Sequence, residues 1–418
     1  MKKNKKYIVI VCANFTGEYL PFYFLGHGYQ CIHVVTKHFL DKKGIVNPEL
    51  FTEVFFLKNE SKEEIIKLVE NLKKFDIKAI IAGNEGVVTT TDTISQYFSV
   101  PKNDIALSIA RRHKYYMIDA LAKNGLSTQV QFIAKNISDL KKWYLKENLN
   151  KIILKPPYSA SGDNVMVCHD LHEVEINFSK IYGATDFFGE KNIEVVAQEF
   201  VDGVQYIVNT VSCDDKHFIT DIWRECGSDK EGLLHDDYAE LVKENMQDYS
   251  MLENFSKEVL KSLKITDGPA HHEIRFSSCG PRLIEVGARL AGGMDPSALT
   301  EVFGYNQVSI AVEALLDPDS FKRRVTNMEK QKYARYIYLS SNKEGIIKNQ
   351  VNLSEFFTIK SLHSMNFVFE QGDKLPITNQ IILRPGRAYL ISDSSEQIEN
   401  DYQRFRLLEE KFYEDLLG

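Results

Sequence analysis

The amino-acid sequence predicts a mixed α/β protein whose N-terminal domain is a Rossmann-like parallel sheet covered by helices. The first observation is alternation, because short apolar runs at residues 7–12, 31–35, 54–57 and 79–82 are separated by helical patterns. Strands that alternate with helices indicate parallel pairing. The second observation is that longer strand patterns dominate from about residue 194, which indicates an α+β second half.

Breaks in these patterns divide the chain into segments. We predict an N-terminal α/β domain at 1–102, a small subdomain with preceding helices at 103–192, a strand-rich large subdomain at 193–318 and a C-terminal α+β domain at 319–418. A helix is predicted at 106–123. A loop at 227–235, which follows Trp223 and Arg224, could act as a lid.

Charge and cysteine content exclude several classes of protein. The chain has 51 Lys and Arg against 58 Asp and Glu, a formal net charge of −7. Nucleic-acid binding depends on neutralisation of phosphates by basic residues, so neither a nucleic acid nor an anionic membrane is expected as partner. The six scattered cysteines form no C-x-x-C pair, which is typical of reduced thiols in a cytoplasmic protein. No apolar run is long enough to span a bilayer.

The first candidate site follows an apolar strand that ends at Lys155. Residues 159–162, including Ser159, Ser161 and Gly162, form a loop of small residues before the next strand. The N–H groups of such a loop can face a polyphosphate, to which the lysine adds a positive charge. An ordinary surface hairpin explains the same pattern.

A second stretch, Glu199, Phe200 and Val201 followed by Gly203 and Gln205, predicts a strand, a bend and a further strand. Exposed backbone at such a hinge can pair with the edge of an adenine. An ordinary β-hairpin accounts for the pattern equally well.

The third stretch predicts a metal site on a hairpin centred near Cys279. Side chains alternate along a strand, so His271, Glu273 and Arg275 should share one face. On the return strand, Leu283, Glu285, Gly287 and Arg289 should share one face, with Glu285 opposite Glu273. Like charges on facing positions repel, and a hard cation such as Mg²⁺ removes that repulsion. Two solvent-facing glutamates are the alternative.

Taken in order, Lys114, Lys155 with its loop, Glu199-Phe200-Val201-x-Gly203, Glu273 and Glu285-x-x-x-Arg289 resemble the motifs of the ATP-grasp superfamily. Within it, the chain is most similar to the L-amino acid ligases, which include bacilysin-type and dapdiamide-type synthetases. The resemblance covers nearly the whole chain and implies two nucleotide-clasping subdomains after the N-terminal domain.

The resemblance also implies roles for these residues. Lys114 and Lys155 would contact ATP, the loop with Ser159, Ser161 and Gly162 would cover its phosphates, and Glu199, Phe200 and Val201 would meet adenine. Gln205 stands where a ribose-binding glutamate is usual. Glu273 and Glu285 would hold Mg²⁺, with Mn²⁺ as an alternative ion, and the catalytic residues would be Arg289 and Lys155. Gly287 replaces a metal-binding asparagine, which puts a second ion in doubt.

The implied reaction joins a small-molecule carboxylate to an amine through an acyl phosphate, with release of ADP. Six residues are weaker substrate candidates: Glu85, Trp223, Arg224, His271, Arg275 and Gly293. Core packing or a salt bridge explains Trp223, Arg224, His271 and Arg275 equally well. A helix N-terminus, which favours a carboxylate, explains Glu85, and a tight turn explains Gly293. The alternatives are a biotin-carboxylase-like enzyme and an inactive nucleotide-binding protein. A homodimer is suggested by the resemblance alone.

Overall fold

The structure is a computed structural model that describes residues 5–40, 48–160, 162–230, 233–243, 246, 248–324 and 332–418. Its first domain is a parallel sheet of four strands in the order β3-β2-β1-β4. All four predicted strands are present. The elements are β1 Lys6–Val11, α1 Leu20–Gly26, β2 Gln30–Thr36, α2 Lys37–Leu40, β3 Glu53–Leu57, α3 Lys62–Leu72, β4 Asp76–Ala82 and α4 Val88–Ser95.

A small antiparallel sheet follows, in the order β5-β8-β6-β7. Its elements are α5 Lys114–Lys123, β5 Gln131–Ala134, α6 Ile137–Glu147, β6 Ile152–Lys155, β7 Met166–Cys168, α7 Leu171–Ile181 and β8 Val195–Glu199. The predicted boundary at residue 192 falls before β8, which pairs with β5 and β6. We therefore propose that the small subdomain extends to about residue 199.

The second half of the chain builds one eight-stranded sheet, in the order β13-β12-β9-β10-β11-β14-β18-β16. The elements before the predicted C-terminal domain are β9 Val204–Cys213, β10 Lys216–Lys230, β11 Leu233–Leu241, α8 Tyr249–Ser262, β12 Gly268–Ser277, β13 Gly280–Gly287, α9 Pro296–Phe303, α10 Gln307–Leu316 and α11 Pro318–Lys322. The remaining elements are β14 Tyr333–Tyr338, β15 Gly345–Ile346, β16 Leu362–Phe367, β17 Lys374–Leu375, β18 Gly386–Ser392 and α12 Ser395–Leu417. Because β11 pairs with β14, this sheet runs across the predicted boundary at residue 318.

Two local predictions were wrong. The helix predicted at 106–123 begins only at Lys114, because the His113 ring caps it by accepting a hydrogen bond from the Tyr115 N–H. The loop predicted at 227–235 is largely strand, because β10 continues to Lys230 and pairs with β11, which starts at Leu233. Residues 231–232 of that predicted loop lie outside the described residues.

The N-terminal domain packs directly against the large sheet. Apolar side chains of β1 and α1, such as Ile10 and Phe24, share one core with Val211 of β9 and with Val308 and Ala311 of α10. This packing brings the carboxyl ends of β1 and β4 close to the end of β13, where Gly287 lies. In the described part of the chain, none of the helices is both long and apolar enough to cross a membrane.

Candidate active site

The hairpin of β12 and β13 brings two carboxylates together. Glu273 lies opposite Glu285, as the sequence predicts. The prediction that Leu283 shares the face of Glu285 was wrong, because the register shifts and Leu283 pairs with Ile274 in the core. The extra residue is Ile284, and a bulge of this kind re-aims the side chains beside it. Glu285 therefore faces the site although Leu283 does not.

Two lysines lie beside these carboxylates. The ammonium of Lys114, at the start of α5, is 2.9 Å from Glu285 Oε1 and also donates to the carbonyl oxygen of Ser159. Lys155, at the end of β6, is only 4% exposed. Burial and the neighbouring Lys114 lower the pKa of Lys155 to about 8, against the opposing effect of Glu285 and Glu273. Strand β6 contains no acidic residue that could balance this charge, so the buried ammonium group of Lys155 is suited to bind an anionic ligand.

The small-residue loop after β6 is held by its own side chains. Ser159 is buried, and its hydroxyl donates to Asp163 Oδ2 over 2.6 Å. The same carboxylate accepts from the Phe187 N–H over 3.0 Å, which ties the loop to the segment before β8. Gly162 has a φ of +71°, a conformation that favours glycine. The predicted phosphate contact of Ser161 lies outside the described residues.

The bend between β8 and β9 carries the predicted adenine residues. Arg275 donates to the Val201 carbonyl oxygen over 2.9 Å, and its guanidinium carbon lies 5.0 Å from the centroid of the Phe200 ring. It also donates to Gln205 Oε1 over 3.4 Å. Glu199 accepts from the Val130 N–H over 3.2 Å. Arg275, predicted as a substrate residue, thus lies among the predicted nucleotide residues.

Glu85 is buried at the point where the N-terminal domain meets β13. Arg112 donates to its Oε1 over 2.7 Å, and Arg289 Nε lies 2.9 Å from its Oε2. Burial alone would raise the pKa of Glu85, but the two arginines hold it below its usual value. A Cβ on Gly287 would lie 2.2 Å from Glu85 Oε2, so a residue larger than glycine cannot fit there without moving the carboxylate.

The remaining substrate candidates separate into two groups. His271 lies opposite Gly287, and its Nε2 is 3.8 Å from Glu273 Oε1. Trp223 is buried against Tyr389, and Arg224 forms an ion pair with Glu240 while 48% of its side chain is exposed. The geometry therefore favours packing for Trp223 and a structural salt bridge for Arg224.

The two glycines after Arg289 differ in geometry. Gly293 has a φ of +71°, and a Cβ there would lie 2.8 Å from Arg387 Nη1. This favours the turn explanation that the sequence left open for Gly293. A Cβ on Gly292 would meet no atom within 4 Å, so the open space lies beside Gly292.

The donor set fits Mg²⁺ that arrives with a nucleotide. Among the described residues, no cluster of three or more His, Cys, Asp or Glu side chains could hold a metal. Mg²⁺ in proteins is commonly held by one or two carboxylates and completes its coordination with phosphate and water. Glu273 and Glu285 supply two carboxylates, and Lys114 and Lys155 supply cations for the phosphates.

Sequence reasoning missed three residues that contact predicted site residues. Arg112 binds Glu85, and Asn209 binds the His271 ring. Asp221, which is 1% exposed, accepts hydrogen bonds from Asn209 and from the predicted Trp223. The available signal was a carboxylate inside the apolar stretch at 218–222, since a buried carboxylate requires hydrogen-bond donors.

Comparisons with known proteins identify relatives of the chain. No family model matches the chain. Dapdiamide A synthase of Enterobacter agglomerans is 32% identical over 415 residues, which cover 98% of this chain and 97% of that protein. The L-arginine-specific L-amino acid ligase of Bacillus subtilis is 19% identical over 340 residues, which cover 80% and 79%.

Solved structures show the same fold. The L-amino acid ligase from Bacillus licheniformis superposes with a TM-score of 0.77 at 19% identity and covers 96% of this chain and 97% of its own. The biotin carboxylase domain of Hydrogenobacter thermophilus 2-oxoglutarate carboxylase, solved with MgADP, gives a TM-score of 0.63 at 10% identity, over 93% and 86%. The mixed α/β fold predicted from the sequence is therefore confirmed.

Proposed function

The chain belongs to the family of ATP-grasp carboxylate–amine ligases that includes dapdiamide A synthase, and from that premise we propose that it joins an amino acid to an amine. The donor would be an amino acid or a related carboxylate, and the acceptor an amino acid or another amine. The observation that carries the proposal is a pair of ion pairs at the candidate site. Lys114 of α5 pairs with Glu285 of β13, and Arg289, which follows β13, pairs with Glu85 of the N-terminal domain.

The first step transfers a phosphoryl group. A donor carboxylate oxygen attacks the γ-phosphorus of ATP, the bond to the β-phosphate oxygen breaks, and ADP leaves. Lys114 of α5 and Lys155 of β6 would hold the phosphates from two sides, and Gln205 would bind the ribose without charge. Mg²⁺ on Glu273 and Glu285 would supply neutralisation of phosphate charge.

In the second step the amine nitrogen attacks the acyl phosphate carbonyl, phosphate leaves, and the nitrogen loses a proton. Arg289 would stabilise the negative charge that develops on the carbonyl and phosphate oxygens. Its guanidinium is already oriented by Glu85, so little reorganisation is needed when the charge appears. The loop that carries Ser159 and Gly162 would exclude water from the acyl phosphate.

The decisive experiment measures nucleotide products with pairs of the common amino acids. ADP and phosphate should form only when a donor and an acceptor are both present, and mass spectrometry should detect the amide. AMP and pyrophosphate as the main products would contradict the proposal. ADP release that depends on bicarbonate rather than on an amine would indicate a carboxyphosphate-forming enzyme. Assembly into a homodimer stays a prediction.

A further inference from the structure

A row of four residues crosses the large sheet behind the candidate site. Gly287 of β13 lies opposite His271 of β12, which lies opposite Asn209 of β9, which lies opposite Asp221 of β10. Asn209 is fully buried and Asp221 is 1% exposed, whereas 15% of the His271 side chain is exposed. The row therefore runs from the site into the interior.

The row is completed by a bulge in β10. Ile219 pairs with Thr210 and Asp221 pairs with Asn209, so Thr220 is an extra residue in β10. A bulge turns the following side chain and is a common feature beside functional sites. Here it places the Asp221 carboxylate within 2.5 Å of the Asn209 amide nitrogen.

The hydrogen bonds along the row have a fixed direction. Trp223 Nε1, which can only donate, donates to Asp221 Oδ1 over 2.7 Å, so this oxygen must be an acceptor. Asn209 must therefore turn its amide nitrogen towards Asp221 and its carbonyl oxygen towards His271. The oxygen lies 2.9 Å from His271 Nδ1, so Nδ1 must carry the hydrogen.

With the hydrogen on Nδ1, a neutral His271 presents a lone pair at Nε2. The facing atom is Glu273 Oε1, a second acceptor, at 3.8 Å. Two acceptors cannot bond each other, so the lone pair at Nε2 is suited to a hydrogen-bond donor that a substrate supplies. His271 lies opposite Gly287 in the sheet, and Gly287 lies beside Glu85 and Arg289.

We propose that Asn209 and Asp221 are positioning residues that hold His271 as the Nδ1–H tautomer, so that its Nε2 accepts a hydrogen bond from a substrate amino group. This rests on the proposed function, because it assigns an amine-bearing substrate to that site. The amino group belongs either to the attacking amine or to the donor amino acid. His271 acts here as a hydrogen-bond acceptor that orients the nitrogen.

The tautomer can be measured directly by NMR on protein with ¹⁵N-labelled histidine rings. The chain has 11 histidines, and the His271 signal is identified by its loss in a His271→Gln variant. At a pH of about 8, where an ordinary histidine is neutral, the wild type should show hydrogen on Nδ1. Hydrogen on Nε2, or on both nitrogens, would overturn the proposal.

Asn209→Leu keeps the approximate shape and removes the bond to His271. This variant should shift the His271 ring towards the Nε2–H tautomer. Thr220→Val is the matched control. Thr220 is as buried as Asn209, and its hydroxyl donates a hydrogen bond of 2.8 Å to Oδ2 of Asp221, which is not the oxygen that Asn209 contacts. Thr220→Val should leave the tautomer unchanged, and an unchanged tautomer in folded Asn209→Leu would overturn the proposal. Should Asn209→Leu not fold, Asn209→Ser tests the same bond.

Kinetics then identify which amino group is bound. The probes are hydroxylamine as the nucleophile and the donor found in the ADP-release screen. In Asn209→Leu, KM should rise for one of the two substrates by roughly tenfold, as expected for one lost hydrogen bond to a polar group. A rise for hydroxylamine assigns the attacking amine, and a rise for the donor assigns its amino group. Unchanged KM and kcat for both would overturn the proposal, while the absence of ADP release in wild type would refute the proposed function alone.

Discussion

The β12–β13 hairpin and the Glu85 junction both hold a carboxylate against basic side chains, but they are assembled differently. In the hairpin, Glu273 and Glu285 meet through local strand pairing. At the junction, Glu85 comes from the N-terminal domain and meets Arg112 and Arg289 from later parts of the chain. The hairpin depends on residue alternation, whereas the junction depends on close packing between domains.

This difference predicts which of the two regions tolerates a substitution without loss of stability. A hairpin carboxylate can be replaced by an isosteric amide, because the side chains of Glu273 and Glu285 are themselves 35% and 20% exposed. The junction has no spare volume, since the Glu85 carboxylate fills the place of a Cβ at Gly287. Chemistry should therefore be lost first at the hairpin, and both chemistry and stability should be lost at the junction.

The largest expected effect comes from Glu285→Gln in the hairpin. The amide keeps the shape but loses the charge that binds Lys114 and would bind the metal, so kcat should fall by at least about 100-fold. The control is Glu253→Gln, which removes a surface ion pair with Lys257 on α8. Near-normal turnover of Glu285→Gln at ordinary Mg²⁺ concentration would refute the metal assignment.

Gly287→Ala tests the junction. The new methyl group would collide with Glu85, separate it from Arg289, and lower kcat/KM by about tenfold or more, with a loss of stability in the overpacking range of about 1–3 kcal/mol. Activity and the thermal midpoint are the measurements. Gly292→Ala is the control, because a Cβ there would meet no atom within 4 Å.

A double variant separates the collision with Glu85 from any other loss of stability that Gly287→Ala causes. Glu85→Ala should itself lower activity, because Arg112 and Arg289 lose their buried partner. Adding Gly287→Ala to that background should then have little further effect, because the obstructing carboxylate is absent. Additive losses in the double variant would show that the collision with Glu85 does not explain the glycine.

The buried lysine predicts a pH dependence of nucleotide binding. Its pKa is lowered to about 8, so Lys155 in the free protein loses its charge as pH rises through that value. ATP favours the charged form, so affinity should fall above a pH of about 8, by at most tenfold per pH unit, with uptake of a proton on binding. Calorimetry in buffers of different ionisation enthalpy measures both quantities.

Lys155→Arg is the control, because an arginine stays charged throughout this range. Its affinity for ATP should be insensitive to pH in the same window. A wild-type affinity that is constant from about pH 7 to about pH 10 would mean that Lys155 does not contact the phosphates. Lys114→Ala should weaken binding at every pH in the range.

Much of the fold and of the hairpin could be predicted because the signals are local. The four N-terminal strands and the pairing of Glu273 with Glu285 follow from the spacing of apolar and charged residues. Contacts between distant segments leave no such pattern. The bond between Arg112 and Glu85 and the role of Gly287 arise only when the domains pack, and the bulge at Ile284 is not visible in the alternation.

The smallest expected effect concerns the two glycines after Arg289, which continue the comparison between open space and close packing. Gly292 borders open space, whereas the φ of +71° at Gly293 is one that other residues adopt with strain. Gly292→Phe should leave the fold intact and fill the space beside the donor. It should therefore lower kcat/KM for a large donor more than for a small one.

The change in that ratio should be about tenfold, because steric exclusion from a packed pocket costs roughly 1–3 kcal/mol. Gly293→Ala provides the contrast. Its cost is backbone strain of about 1 kcal/mol, which affects all donors alike and leaves the ratio unchanged. If the ratio changes in Gly293→Ala but not in Gly292→Phe, the donor side chain lies beside Gly293, which is the substrate role that the sequence left open together with a turn.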